Sequence, residues 1–246
     1  MLAKVEGIVV SEVPYKDTSK IINVFTKDGI VGIIARGAYK SKIRYAGYTN
    51  KLTYGTFHIN KRQGLSTLIE VDVIDNLKVI KKDLIKISYA SFITDLATQV
   101  YRCENNPIIY ELYISSIIKI NEGFDPLVIS NILELKLLNY LGIMPVIDRC
   151  ALCGNTNDIV TISSYKGGYI CKNCLNNDVI VNIKTIKLIR MYYYVDIKKI
   201  TKLEVSDNIK QEINKFIDEY YDRYSGLYLK TKEFLNKLGS VKSEWL

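Results

Sequence analysis

Four of the five cysteines in this 246-residue chain stand in two Cys-x-x-Cys pairs, Cys150/Cys153 and Cys171/Cys174. Two residues between thiols let a tight turn aim both sulfurs at one point. The 17 residues between the pairs suffice for a small ribbon that brings the second pair to the same point, with Cys171 beside Cys153. That is the ligand arithmetic of a tetrahedral four-cysteine zinc site. A thiolate-only set is soft and closed, with no position left for water, so the expected Zn2+ is structural and not catalytic. It would fasten a segment, residues 149–179, with too few apolar side chains to fold unaided. Two disulfides or one redox pair are the alternatives. Met1 to Val10 lacks the basic head and long apolar run of a secretory signal, which points to the reducing cytoplasm, where structural disulfides are rare. Cys103 falls outside the pattern on an apolar helix and is expected to be a small buried side chain.

The charge is unevenly placed. The formal net charge is +8, from 34 Lys and Arg against 26 Asp and Glu. Between Gly29 and Ile69 stand Arg36, Lys40, Lys42, Arg44, Lys51, Lys61 and Arg62, and no acid at all. Tyr39, Tyr45, Tyr48, Tyr54, Phe57 and His58 are interleaved with them. Basic groups neutralise phosphates while exposed rings stack on bases, so this stretch favours a nucleic-acid partner over an idle basic surface. Some of the rings must be core residues, so the charge is the stronger half of the argument. No apolar run approaches the length of a membrane span, and a soluble protein without membrane contacts is expected.

Residues 1–80 read as short strands broken by turns: 4–11, 21–25, 30–35, 52–59 and 67–79, with Asp28-Gly29 as a hairpin signal and a basic loop from Arg36 to Tyr48. About five curved strands suit a small barrel of the oligonucleotide-binding (OB) type, and an SH3-like barrel satisfies the same pattern. Beyond residue 81 the apolar period changes from two to about 3.6. Helices are expected at 84–101, from Asn106-Pro107 to 120, from Asp125-Pro126 to 141, and at 186–194, 207–221 and 227–238. The fold expected is α+β: an N-terminal OB-fold barrel (1–80), then an all-helical domain (81–246) interrupted by a four-cysteine zinc ribbon (149–179).

Catalytic constellations are not evident. The single histidine, His58, lies in a basic strand segment where a surface or packing role is expected. There is no nucleophile elbow, no Gly-rich phosphate loop with Lys-Ser or Lys-Thr, and no tight acidic cluster for a two-metal nuclease. Binding without turnover is expected. A DNA-binding transcriptional regulator with a structural zinc is the alternative, although the helical half lacks a convincing basic recognition helix.

The chain resembles the RecO family of bacterial recombination mediators over essentially its full length. The residues that carry the resemblance begin with Gly7-Ile8-Val9-Val10, Pro14 to Ile22, Phe25 to Gly29 and Ile33 to Lys42, including Ser41. They continue with Phe124-Asp125-Pro126, Glu134 to Pro145, Cys150-Ala151-Leu152-Cys153-Gly154, Gly167 to Cys171 and Cys174. They end with Tyr221 to Tyr224, Gly226 and Leu229 to Leu235. Val13, Lys16, Asp17 and the segment 45–50 depart from the family's usual residues.

This resemblance implies an OB barrel, a helical domain with a four-cysteine zinc site, and binding of single- and double-stranded DNA. It implies annealing of complementary strands without ATP. It also implies partnership with RecR, contact with the acidic C-terminal tail of single-stranded DNA-binding protein, and help in loading RecA, in the cytoplasm at the nucleoid. Zn2+ is expected on Cys150, Cys153, Cys171 and Cys174, and DNA phosphates on Arg36, Lys40, Lys42 and Arg44, with Lys61 and Arg62 extending the track. A basic rim for the partner tail would come from Arg190 or the Lys198/Lys199 pair.

Overall fold

The computed structural model describes residues 1–40, 42 and 44–243; Ser41 of the family-like segment and residues 244–246 of the expected helical domain lie outside them. Five strands form the N-terminal unit: β1 (Leu2–Tyr15), β2 (Ser19–Thr26), β3 (Gly29–Ala35), β4 (Tyr54–Asn60) and β5 (Ser66–Asp75). They close in the order β1-β2-β3-β5-β4. Strands β3 and β5 run parallel through Ile33↔Ser66 and Ile34↔Thr67, and the other pairs are antiparallel. This is the OB strand order, and it decides against the SH3-like alternative. Inward-facing residues alternate along the strands, so Val9, Ile22, Val24, Ile33, Phe57, Ile59 and Leu68 fill the barrel.

Strand β1 extends beyond residues 4–11 at both ends and absorbs a bulge between Val9 and Ser11. The last strand stops at Asp75 instead of Val79. Asp75 accepts the Leu77 N–H (2.7 Å) in a turn, Leu77 adopts φ 50°, and a short helix α1 (Lys78–Lys81) follows. Asn121 accepts the N–H groups of Val79 and Ile80, which holds that helix against the body.

The body is built from α2 (Leu84–Cys103), α3 (Pro107–Asn121), α4 (Pro126–Tyr140), α5 (Ile183–Tyr194), α6 (Asp207–Tyr224) and α7 (Lys230–Ser243). Asp83, Asn106, Asp125 and Asn182 cap the starts of α2 to α5, with Pro at the first helical position of α3 and α4. The last helix begins at Lys230, three residues later than its periodicity suggests, because Leu227 to Leu229 run as connector. Cys103, expected to be buried, is exposed: it ends α2, where the helix leaves the core.

Helix α4 is buried on nearly every side, from Val128 to Leu138, and α2, α3, α5 and α6 pack around it. The barrel has its own interior, and the core of the body reaches into it through Ile8, Phe25 and Leu52. Phe25, fully buried, leaves the end of β2 and meets the rings of Tyr101, Tyr110 and Tyr113 at 5.0, 5.3 and 5.6 Å. Burying a side chain of that size contributes about 3 kcal/mol, so the barrel is pinned to the helices and not merely tethered.

One polar device holds the C-terminal helix. Lys232 of α7 reaches Glu134 of α4 (3.0 Å) and Asp218 of α6 (2.7 Å), and lies 4.5 Å from the Phe92 ring centre. Glu134 is 2% exposed. Burial pushes its carboxyl up, the Lys232 ammonium pulls it back and Asp218 pushes again, leaving it at about 7. The native chain therefore holds a proton that an unfolded Glu releases near pH 4.3. That contribution to stability is complete below pH 4.3 and is lost as pH rises through about 7. Lys232→Met should cost about 3–5 kcal/mol toward pH 9, where the carboxylate is stranded, and less below pH 7, where Glu134 keeps its proton. Urea unfolding across pH 5–9 checks it: the variant should go on losing stability above pH 7, where the natural chain levels off.

Candidate functional site

Two turns of the barrel come together at one end of β3. The β1–β2 turn carries Lys16 at φ 54°, and the basic loop leaves β3 at Arg36. They are laced by Tyr39 N–H to Thr18 O (3.1 Å) and Gly37 N–H to Ser19 Oγ (3.3 Å). Lys20 secures the base, donating to Glu12 Oε2 (2.6 Å) and Asn50 Oδ1 (2.8 Å). The Tyr45 hydroxyl donates to the Arg36 carbonyl (2.8 Å) and folds the loop back on itself. The result is a groove of about 560 Å³ lined by Tyr15, Lys16, Thr18, Ser19, Ile34, Arg36, Gly37 and Lys40.

Arg36 and Lys40 thus share one groove, and Lys42 and Arg44 follow, exposed, on the same loop. Lys61 and Arg62 are exposed on the separate β4–β5 turn, which feeds β5 beside Ile33. Among the described residues, none of these six is paired with a carboxylate, whereas Lys20 behind them is. Unpaired cations around a groove make a surface for a polyanion. Lys51, from the same acid-free stretch, turns inward: burial lowers its pKa and Asp95 of α2 opposes the shift.

The rings divide as their strand positions require. Phe57 is core, Tyr54 donates to Glu6 (2.6 Å), and His58 pairs with Asp72 (2.6 Å). Tyr39 and Tyr48 stay exposed, and the Lys20 ammonium lies 5.0 Å from the Tyr39 ring centre, covering one of its faces. Lys16 and Tyr15 were missed as groove residues, because a lone Lys in a turn stands out only once the turn is seen packed on the loop.

The cysteines flank a two-stranded ribbon of β6 (Ile159–Ser163) and β7 (Gly168–Cys171): Cys150 and Cys153 precede it, Cys171 ends β7 and Cys174 follows in a 3-10 turn (Lys172–Cys174). Its register, Ile162↔Tyr169 and Ile159↔Cys171, brings the second pair back to the first. Gly168 permits a close approach that no other residue could make: a Cβ there would stand 2.2 Å from the Val146 carbonyl oxygen. The first pair turns tightly, with Gly154 N–H donating to Cys150 O (2.9 Å).

All four Sγ atoms lie within 4.8 Å of one another, and Cys153 and Cys171 are 3.6 Å apart. Tetrahedral sulfurs about 2.3 Å from one ion stand about 3.8 Å apart, so the cluster fits a thiophilic ion. Burial pushes the Cys150 thiol up, but the N–H groups of Cys171, Cys153 and Leu152 directed at its sulfur outweigh that and bring it down to about 6. Cys174 is pushed up to about 12, chiefly by hydrogen bonding to Cys153. Four such acids in one place cannot all ionise without a cation, and a bound ion would release their protons.

Of the expected rim residues, Lys198 lies 3.6 Å from Glu111 and Lys199 3.8 Å from Asp196. Arg190 lines a groove between α5 and the ribbon. Among the described residues, no helix is long and apolar enough to cross a membrane.

Comparison with known proteins agrees with this two-part architecture. Residues 1–77 match the family described as "Recombination protein O N terminal", and residues 81–233 match "Recombination protein O C terminal". Relatives named "DNA repair protein RecO" include one from Bacillus pumilus, 36% identical with 98% of this chain and 96% of that protein covered. Another, from Listeria monocytogenes, is 35% identical over 96% of this chain and 95% of its own length. A third, from Bacillus subtilis, is 34% identical over 98% and 97%. With a barrel and a helical body in the order that both matches require, the chain belongs to the RecO family of DNA repair proteins.

Proposed function

We propose that this chain is a recombination mediator: it binds single- and double-stranded DNA, anneals complementary strands without ATP, and with RecR helps load RecA onto DNA covered by single-stranded DNA-binding protein. The observation that carries the reading is the groove in which Arg36 and Lys40 meet Lys16, continued by Lys42 and Arg44, with no carboxylate paired to them among the described residues. Side-chain cations along this track would replace the counterions condensed on the phosphates, which is sequence-independent binding. Annealing follows without a fuel: two polyanions held on cations repel less, and pairing proceeds by the stacking and hydrogen bonds encoded in the strands. Binding without turnover is the reading, and His58 is occupied with Asp72.

The working units proposed are residues 1–80 for DNA and 81–246 for support and partners, with 149–179 as an insert held by one Zn2+ on Cys150, Cys153, Cys171 and Cys174. When bound, the ion supplies a structural cross-link. The acidic tail of single-stranded DNA-binding protein is the proposed protein partner besides RecR, and the cytoplasm, at the nucleoid, the proposed place. An annealing assay on strands coated with their binding protein tests the function. Equal acceleration with and without ATP is expected, with labelled DNA intact in magnesium. A requirement for ATP, or cleaved product, would contradict it.

A further inference from the structure

We propose that α5 and the ribbon carry a second phosphate track, which holds one DNA strand while the barrel holds its complement. The inference rests on the barrel being a DNA-binding surface, and adds a site to it. Between Val179 and Val195 the chain has Lys184, Lys187 and Arg190 and no Asp or Glu, a second acid-free basic stretch far in sequence from the first.

Helix geometry then sorts the residues. Thr185, Ile186, Ile189 and Tyr192 are buried against the body. Ile183, Lys187, Arg190 and Tyr194 recur at steps of four, three and four, which puts them on one stripe, and all four are exposed. Lys184 flanks that stripe. From Ile183 to Tyr194 it is about 16 Å long, room for several nucleotides.

The ribbon adds the other wall. Lys172 joins Lys187 and Arg190 around a groove of about 470 Å³ with Ile159, Val160 and Ile183 in its lining. Asp148 and Asp158 also line it, and Arg149 stands 3.9 Å from the first of these. Among the described residues, none of Lys172, Lys184, Lys187 and Arg190 is paired with a carboxylate. The stripe ends on Tyr194, whose ring is 64% exposed and packed edge-on against Tyr193. Cations strung along a helix face and ending in an open ring match a phosphate backbone with a base to stack. An acidic peptide would use the same cations, but an unbroken stripe of about 16 Å that closes on an open ring suits a strand better than a short tail. Two tracks on one chain make the meeting of complementary strands intramolecular, which raises their effective concentration without any new contact between them.

The test is the variant Lys184→Glu/Lys187→Glu/Arg190→Glu, whose three exposed positions leave the core intact; circular dichroism and metal content verify the fold. Binding of one labelled oligonucleotide should persist within about threefold through the barrel, while annealing slows about tenfold or more. Capture of a second strand should show a salt dependence about 2 units shallower. A folded variant that anneals at the natural rate overturns the second track. Loss of acidic-peptide binding with normal annealing also overturns it, and marks the face as a peptide site. If the triple variant loses the single oligonucleotide while barrel charge reversal keeps it, the barrel reading itself fails.

Discussion

Reversing Arg36, Lys40, Lys42 and Arg44 to Glu together should weaken single-strand binding about a hundredfold and flatten its salt dependence. Each phosphate contact on a single strand contributes about 0.7 to the slope of log affinity against log salt, so four lost contacts remove about 3. The folded state should survive. The four side chains are exposed and, among the described residues, hold no carboxylate in place. Tyr45 bonds the backbone carbonyl of Arg36 and not its guanidinium. Fluorescence anisotropy across a salt titration measures both quantities, and an unchanged curve would remove this surface from the account. Adding Lys16→Glu should deepen the loss, since that side chain lines the same groove.

Replacing Cys171 by Ser should abolish metal binding and destabilise the helical body by more than about 2 kcal/mol. Cys171 is 1% exposed and belongs to β7, so losing its thiolate loosens the ribbon at its point of closure. The ribbon is also part of the core: Tyr169 is buried and its hydroxyl donates to the Ile186 carbonyl of α5. Opening should therefore spread to α5, seen as new proteolytic sites between residues 149 and 194. Single-strand binding by the barrel should stay within about twofold. A variant that kept its stability but lost single-strand binding by the barrel would contradict the scaffolding role given to the cysteine cluster.

Much of this arrangement is legible before folding because it is local chemistry. Cys-x-x-Cys spacing states its own geometry, Asn106-Pro107 and Asp125-Pro126 announce helix starts, and Asp28-Gly29 announces a hairpin. The clustering of the four cysteines and the β2–β3 turn follow from such short-range rules. What stayed hidden depends on packing between distant segments. Strand β5 and Val79 look continuous until Asp75 and Asn121 capture the intervening N–H groups. Cys103 has apolar neighbours in sequence, yet it lies where α2 leaves the core. Glu134 looks like a surface acid on an apolar helix until α6 and α7 cover it and bring Lys232. Lys16 joins Arg36 only through the lacing of two turns, and the basic stripe of α5 emerges only when the ribbon supplies Lys172 across the groove.

The most direct measurement is photocrosslinking of a bound single-stranded oligonucleotide, with the attached residues mapped by mass spectrometry. Attachments within residues 15–19 and 36–44 are predicted, led by the groove around Lys16, Arg36 and Lys40. A footprint that leaves both turns untouched, on any other face of the molecule, would contradict the account.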